Sequence, residues 1–216
     1  MNVDLHTHTK YSYDAVCPPD KFIKAVMAKG LNAVAITDHN TTKGWKAMTE
    51  AGRKYNIPVI QGEEIRLIEN AHSRGELIGL FLNEAIRPGT PLEVIDAIRA
   101  QGGLIIVPHP FDAHRKFHDI GQYVKMVDGI EVLNARAFKD SNNTQALVFA
   151  QKHKLAQTGG SDAHTCREIG NAYTYAPATT LEELRKAIIK KTTEAQGKRS
   201  SAWVHAVSTL AKIKKL

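Results

Sequence analysis

The chain has 216 residues, of which 43% are hydrophobic and 24% are charged, and it carries a net charge of +7. This composition is typical of a soluble globular domain, and the length suffices to bury a large core without disulfides or a structural metal. The sequence has no apolar run of about 18 residues and no basic-then-apolar start of the secretory kind, so we expect a cytoplasmic protein without a membrane span.

Seven short apolar runs predict β-strands, and they alternate with segments of helical spacing. The predicted strands are residues 3–5, 33–37, 58–60, 77–82, 104–107, 129–133 and 155–158. The predicted helices are residues 19–29, 42–55, 91–101, 141–154 and 181–190. Such alternation indicates a parallel sheet with both faces buried. Seven strands are too many for a small flavodoxin-like sheet, so we predict a closed or partly closed α/β barrel.

The end of the chain is basic. Residues 191–216 hold six basic residues and one acidic residue, so most of the net charge lies there. We therefore divide the chain into a domain of residues 1–190 and a tail of residues 191–216. The tail has apolar residues at helical spacing, at Trp203, Val204, Val207, Leu210 and Ile213. This pattern favours an amphipathic helix docked on the domain, with binding of short RNA through the lysines as the alternative.

The two cysteines, Cys17 and Cys166, suit a reducing compartment and give no sign of a disulfide framework. We expect two separate buried thiols, which are common in protein cores.

Side chains that can bind metals follow most of the predicted strands. They are His6 and His8, Asp38 and His39, Glu63 and Glu64, His109, and Asp162 and His164, with Asn134 following a further strand. The carboxyl ends of the strands of a parallel barrel meet at one rim, where catalytic residues belong. The pairs His6/His8 and Asp162/His164 have a spacing of two, which places both side chains on one face of a strand.

Five histidines and several carboxylates on one rim indicate a metal site, because so many ionisable groups are costly to bury without metal ions. Imidazole combined with carboxylate suits zinc, manganese or iron better than calcium. Two or three such ions close together are typical of phosphoryl displacement, in which one ion activates the attacking water and the others hold phosphate oxygens.

At these residues the sequence resembles the PHP (polymerase and histidinol phosphatase) family of phosphoesterases. Residues 6–14 resemble the opening H-x-H-T-x-x-S motif of that family, and residues 37–40, 109–110 and 160–164 resemble its later motifs. The resemblance implies an α/β fold, a distorted seven-stranded β/α barrel with the metal site at the C-terminal strand ends.

The resemblance also implies three sets of metal ligands. The first ion is expected to bind His6, His8 and Asp162, and the third ion Asp14, His39 and His164. A glutamate is expected to bridge the first ion to a second ion, which His109 also binds.

The family spacing selects Glu64 as the bridging residue, and strand alternation sends Glu63 to the opposite face. The expected catalytic residues are Glu64, His109 and Asp162, with a metal-bound hydroxide as the nucleophile.

Glu76 departs from the family pattern. Many members have a histidine at this place, where it binds the second ion together with His109. We expect Glu76 to be that ligand, which makes the site harder and favours manganese or iron over zinc. The alternatives are that His72, in the polar segment 70–75, takes this place or that the second site is weak.

The phosphate of the substrate also needs donors from the protein. Arg115 and Arg136 are candidates, because a guanidinium group matches phosphate with a planar fork of donors. Asn134 lies two residues before Arg136, on the same strand face. The alternative for each arginine is a surface ion pair with an acid.

We therefore expect a hydrolase of phosphate esters that contains two or three divalent transition-metal ions (manganese, zinc or iron). Its expected substrate is a small phosphomonoester or a nucleotide. The alternatives are an oligoribonucleotide exonuclease of the same family, a metal-dependent amidohydrolase, and a non-catalytic metal- or RNA-binding scaffold.

Overall fold

The protein is seen in a computed structural model that describes residues 1–113, 115, 117–201, 204 and 209. This part of the chain contains nine strands and six helices. The strands are β1 (Asn2–Asp4), β2 (Ala33–Ile36), β3 (Val59–Glu69), β4 (His72–Leu80), β5 (Leu104–Val107), β6 (Gly129–Asn134), β7 (Ala156–Gly160), β8 (Ala172–Tyr175) and β9 (Glu194–Gly197). The helices are α1 (Pro19–Ala28), α2 (Trp45–Tyr55), α3 (Pro91–Ala100), α4 (Ile120–Tyr123), α5 (Asp140–His153) and α6 (Leu181–Ile189). Among the described residues, none of the helices has the length and apolar character needed to span a bilayer.

All strands belong to one sheet in the order β7-β6-β5-β4-β3-β2-β1-β8-β9. The sheet curls so that β7 meets β8, where the Thr174 hydroxyl donates to the Gly159 carbonyl (2.9 Å) and accepts from the Gly159 amide (2.9 Å). The result is a nearly closed α/β barrel. The predicted strand count was wrong, because β8 and β9 are short and partly polar and therefore lack the apolar run that marks the other seven strands.

The sheet is mixed rather than parallel, because β4 runs antiparallel to β3 and β5, and β8 runs antiparallel to β1 and β9. The β3–β4 hairpin replaces the predicted polar loop. Its turn consists of Asn70 and Ala71, whose φ angles of 51° and 63° are both positive. Two such residues make a tight turn that matches the twist of the strands. The usual Asn-Gly signal is absent, and His72 lies exposed at the start of β4.

The barrel closes between the start of the chain and the segment after β7. The Asp162 amide donates to the His6 carbonyl (2.8 Å), and the His8 amide donates to the Ala163 carbonyl (2.9 Å). Below this seam, the buried Asp4 carboxylate accepts from the amides of Ser161 and Gly170 (2.9 Å each). The first and last predicted motifs are thus neighbours through backbone hydrogen bonds.

Apolar side chains pack on both faces of the sheet. Leu104 and Ile106 of β5 belong to one buried cluster, and the alternating Ile105 and Val107 belong to another. The first cluster includes buried residues of α6, and the second includes the apolar sides of α1, α2, α3 and α5. The apolar run 104–107 was therefore correctly predicted to be buried on both faces.

The domain extends beyond the predicted boundary at residue 190. Residues 194–197 form β9, an edge strand of the same sheet, and the Ser200 amide donates to the Ala135 carbonyl (2.6 Å). The Arg199 guanidinium pairs with Asp140 (3.0 Å between Nη2 and Oδ2). The first part of the predicted tail therefore belongs to the domain. Apart from residues 204 and 209, the proposed docked helix lies outside the described residues.

Cys17 and Cys166 form a disulfide, with their Cα atoms 5.1 Å apart. The expectation of two separate thiols was therefore wrong. Cys17 follows Asp14 by three residues, and Cys166 follows His164 by two. Because Asp14 and His164 were predicted to bind the same ion, this spacing was a signal that the two cysteines lie close together. The cytoplasmic location stays a prediction.

Reduction of this disulfide should lower the free energy of unfolding. The bond closes a loop with a sequence separation of 149, for which the loss of chain entropy corresponds to about 5 kcal/mol, while measured disulfides typically contribute about 2–4 kcal/mol. We expect the urea midpoint of the wild type to fall on reduction, as followed by circular dichroism. The matched control is the Cys17→Ser/Cys166→Ser double variant, whose midpoint should not respond to reductant. An unchanged wild-type midpoint after complete thiol release would contradict the prediction.

Candidate metal centre

The nine predicted metal ligands converge at the rim of the barrel. Seven of them are buried, namely His6, His8, His39, Glu64, His109, Asp162 and His164. The side chains of Asp14 and Glu76 are 13% exposed, which places them at the mouth of the group.

Glu64 reaches this rim from the middle of β3 rather than from a strand end. It pairs with Ile78 of β4, and Glu76 lies two residues from Ile78, so Glu64 and Glu76 share one face of the hairpin. Glu63 points away, where its carboxylate accepts a hydrogen bond from the Ile86 amide (2.9 Å) and burial raises its pKa to about 7. The structure therefore brings Glu64, and not Glu63, into the cluster.

A first group consists of His6, His8, Glu64 and Asp162. His6 Nε2 lies 3.2 Å from His8 Nε2 and 3.3 Å from Glu64 Oε2. His8 Nε2 lies 3.3 Å from both Glu64 Oε2 and Asp162 Oδ1. A tetrahedral ion with bonds of about 2.1 Å has ligand atoms about 3.4 Å apart. The spacing of these four atoms fits such an ion.

A second group meets the first at Glu64. The other oxygen of this carboxylate, Oε1, lies 3.0 Å from His109 Nε2, which is 3.6 Å from Glu76 Oε2. The two oxygens of Glu64 thus face different sets of potential ligands. A carboxylate placed in this way can bridge two ions.

A third group lies on the other side of His8. Asp14 Oδ2 is 3.2 Å from His164 Nε2 and 3.6 Å from His39 Nε2. His164 Nδ1 donates to the Asp162 carbonyl (2.8 Å), which leaves the lone pair on Nε2, the nitrogen that faces Asp14. His39 also turns Nδ1 towards Glu64 Oε2 at 3.0 Å, so this ring lies between the first and third groups.

The charges of the cluster stabilise one another. Burial lowers the pKa of His6 and His39, yet the carboxylates that face them raise both pKa values well above the ordinary range. Burial raises the pKa of Glu64 and Asp162, but the neighbouring cations lower both pKa values well below the usual value. Burial and the two neighbouring histidines lower the pKa of His8 to about 3. A neutral imidazole of this kind is ready to bind a metal ion.

The two carboxylates at the mouth differ in their ionisation. Burial acts to raise the pKa of Asp14, but its hydrogen bonds to His164 and His39 lower it well below its usual value. Burial and the negative charge of Glu64 raise the pKa of Glu76. Of these two carboxylates, Glu76 is therefore the one whose ionised form a nearby cation stabilises more.

Four carboxylate oxygens in the cluster support a cation site. Asp14 Oδ1, Glu64 Oε2, Glu76 Oε2 and Asp162 Oδ1 are buried and accept no hydrogen bond within the described part of the chain. Buried acceptors without partners are unfavourable. Because metal ions would satisfy them, the donor set fits the ions that the sequence implies.

Arg115 lies beside the first group, where its guanidinium is paired with two acids. Nη1 donates to Asp162 Oδ2 (2.6 Å) and Nη2 donates to Asp112 Oδ2 (3.3 Å). The side chain is 24% exposed, so it stands at the mouth of the site. This is where a candidate phosphate-binding arginine would be expected.

Arg136 and Asn134 lie deeper. The buried Arg136 guanidinium pairs with Glu168 (2.7 Å), whose other oxygen accepts from the His164 amide (3.2 Å). The Asn134 amide nitrogen donates to Asp162 Oδ2 (3.2 Å). Both residues therefore contact groups that hold the cluster in place, and this geometry favours Arg115 over Arg136 for a phosphate contact.

Glu131, a buried acid in β6, was not among the residues predicted for the site. Its Oε1 lies 3.0 Å from His6 Nδ1, and its Oε2 accepts from the His109 amide (2.9 Å). A signal was present, because Glu131 is an acidic residue inside one of the seven apolar runs. A charged residue inside a buried strand requires a partner.

The chain is similar in sequence to known proteins. The sequence matches the PHP domain family over residues 4–198. It is 40% identical over 146 residues to an uncharacterized protein of Methanocaldococcus jannaschii, covering 62% of this chain and 82% of that protein. It is also 27% identical over 130 residues to a 5′-3′ exoribonuclease of Haemophilus influenzae, covering 54% of this chain and 45% of that protein.

The fold is similar to a crystal structure of a two-domain protein from Bacteroides vulgatus that contains a predicted PHP-like metal-dependent phosphoesterase. The TM-score is 0.77 at 18% identity, and the match covers 98% of this chain and 69% of that chain. At this level of identity the likeness shows the fold alone. With the family match across nearly the whole chain and the convergent histidines and carboxylates at the barrel rim, the chain belongs to the PHP domain family.

Proposed function

We propose that this protein is a metal-dependent hydrolase of phosphate esters, with a small phosphomonoester or a nucleotide as its substrate. The observation that carries the proposal is the position of Glu64, whose Oε1 lies 3.0 Å from His109 Nε2 while its Oε2 lies 3.3 Å from Nε2 of both His6 and His8. Such a carboxylate can hold two cations close together, which is the arrangement used for in-line displacement at phosphorus.

The distances between ligand atoms support three proposed sets of metal ligands. The proposed sets are His6, His8, Asp162 and Glu64 for the first ion, Glu64, Glu76 and His109 for the second, and Asp14, His39 and His164 for the third. Imidazole with carboxylate suits manganese, zinc or iron. When bound, these ions lower the pKa of an attacking water and neutralise the charge that develops on the phosphate oxygens.

The chain itself orients both the ligands and the substrate. The two oxygens of Asp162 have different partners: Oδ1 faces His8, while Oδ2 accepts hydrogen bonds from the side chains of Arg115 and Asn134. Arg115 has five N–H donors in a planar fork, and its two ion pairs leave others to bind a terminal phosphate. A guanidinium beside the first ion favours a dianionic monoester over an internal diester.

An oligoribonucleotide exonuclease is the second candidate. It is supported by the similarity to an exoribonuclease and by the six basic residues of 191–216. The non-catalytic scaffold is less well supported, because the chain retains a complete set of ligand types with suitable spacing.

Metal content and phosphatase activity test the proposal directly. Protein purified without chelator should contain at least two transition-metal ions per chain by elemental analysis. It should hydrolyse p-nitrophenyl phosphate at least about tenfold faster than bis-p-nitrophenyl phosphate, because only the monoester offers a dianion to the metals and Arg115. Protein that neither retains nor takes up manganese or zinc would contradict the proposal.

The salt dependence of RNA binding separates the second candidate from the first. If RNA is the substrate, affinity for a short RNA should fall steeply as the salt concentration rises, because lysines that bind phosphates release the counterions held by the RNA. The matched variant is Lys212→Gln/Lys214→Gln/Lys215→Gln, which leaves the described domain intact. For a small-molecule phosphatase we expect weak RNA binding in both proteins and equal monoester turnover.

Glu64→Gln should abolish most activity, whereas Glu63→Gln should be mild. An amide binds cations poorly and cannot hold two ions, so we expect a loss greater than the roughly 10–100-fold that follows removal of an outer partner of a metal ligand. Glu63 faces away, and its role as acceptor for the Ile86 amide can be filled by glutamine. Steady-state kinetics with matched metal loading measures both. The reverse ranking would show that Glu63 is the bridge.

Glu76→His should remain active but shift its metal preference towards zinc, because imidazole is a softer donor than carboxylate. The measurement is the ratio of activity with zinc to activity with manganese, compared between wild type and variant after removal of the native metal. Glu69→His, at the exposed end of β3, is the control for adding a histidine to the hairpin. An unchanged ratio would show that Glu76 does not contact the second ion.

A further inference from the structure

Glu131 is a buried carboxylate that none of the three proposed ligand sets includes. It is 1% exposed and lies in β6, behind the first group. Three groups surround it at hydrogen-bond distance. Oε1 lies 3.0 Å from His6 Nδ1, and Oε2 lies 2.9 Å from both the His109 amide and Asn134 Nδ2.

All three neighbours must donate to Glu131. The His109 amide can only donate. The orientation of the Asn134 side chain is fixed independently, because its carbonyl oxygen accepts from the Arg136 amide (2.8 Å) and its nitrogen therefore faces Glu131. An ionised carboxylate can only accept. His6 Nδ1 must then carry a proton.

This proton determines which nitrogen of His6 can bind a metal. With the proton on Nδ1, the neutral ring has its lone pair on Nε2. Nε2 is the atom that faces His8 and Glu64 at 3.2 Å and 3.3 Å. Carboxylate partners of this kind fix the tautomer of metal-binding histidines and increase their basicity.

We propose that Glu131 is a positioning residue of the metal centre, which selects the metal-binding tautomer of His6 and holds the backbone of His109 in place. The proposal rests on the proposed function, since it requires that His6 binds an ion. Through its two oxygens, Glu131 links a ligand of the first ion to a ligand of the second.

Two further features support the role. His109 has a φ of 28°, an unfavourable angle for a residue with a side chain, and its amide hydrogen bond to Glu131 stabilises it. Gly160 leaves room for the contact, because a Cβ there would lie 2.4 Å from His6 Cβ and 2.5 Å from Glu131 Oε1. The glycine thus permits close approach of the histidine and the acid.

Glu131→Gln tests the tautomer directly. Glutamine has one acceptor oxygen and one amide donor group in place of two acceptors. If its oxygen keeps the His109 and Asn134 contacts, its NH₂ group faces His6 Nδ1, which must then accept. The proton of His6 moves to Nε2, and the first ion loses a ligand. The opposite orientation places the NH₂ group against two other donors and disturbs His109.

Zinc affinity and imidazole NMR provide the readouts. We expect zinc affinity, measured by competition with a chromogenic chelator, to fall about 10–100-fold in Glu131→Gln. Long-range ¹H–¹⁵N spectra of zinc-loaded wild type should show His6 with a proton on Nδ1 and zinc on Nε2, a pattern lost in the variant. The signal is assigned by its absence in His6→Asn. Glu63→Gln, a buried acid outside the cluster, is the matched control and should retain both properties.

The outcomes separate this proposal from the proposed function. Wild-type zinc affinity and an unchanged His6 pattern in Glu131→Gln would overturn the role of Glu131 while leaving the metal centre in place. A wild type that binds no zinc or manganese would overturn the proposed function itself. If the variant fails to fold, the wild-type spectrum still decides, because a proton on Nε2 or zinc on Nδ1 of His6 refutes the proposal.

Discussion

The burial of many ionisable groups in one small space is the constraint on which the rest of the molecule depends. Glu64 and Asp162 are fully buried, and a buried carboxylate without a cation is strongly unfavourable. The protein surrounds them with histidines and Arg115, so that opposite charges lower the pKa values of the acids and raise those of His6 and His39. Metal ions and protons therefore compete for the same ring nitrogens, and binding of metal releases protons.

The distorted barrel meets this constraint by bringing distant segments to one rim. Parallel strands supply histidines at their ends, while the antiparallel β3–β4 hairpin supplies two carboxylates from its own face. Without the hairpin, Glu64 and Glu76 would not stand opposite His109. The backbone seam between residues 6–8 and 162–163 places the first group at the point where the barrel closes. The hairpin that interrupts the parallel order of the sheet is therefore also the element that supplies Glu64 and Glu76 to the site.

Much of the site could be predicted because its residues follow apolar runs, and the ends of such strands converge in any α/β barrel. The hairpin was missed because its Asn-Ala turn lacks the glycine that usually signals it. β8 and β9 were missed because short strands with polar residues carry no clear period. The partners of Arg136 depend on the fold of distant segments, so its pairing with Glu168 could not be derived from local sequence. The acidic residue in the run 129–133 was a local signal for a buried partner, because a charged group inside an apolar strand requires one.

The seam also sets the order in which the site can be assembled during synthesis. His6 and His8 leave the ribosome before the other ligands, and Asp162 follows only after about 150 further residues. At 5–20 residues per second, this interval lasts roughly 10–30 s. Throughout this time the nascent chain presents the histidine pair without Asp162, although Glu64 has already been translated for most of it. The four residues of the first group are therefore all present only when translation of the domain is almost complete.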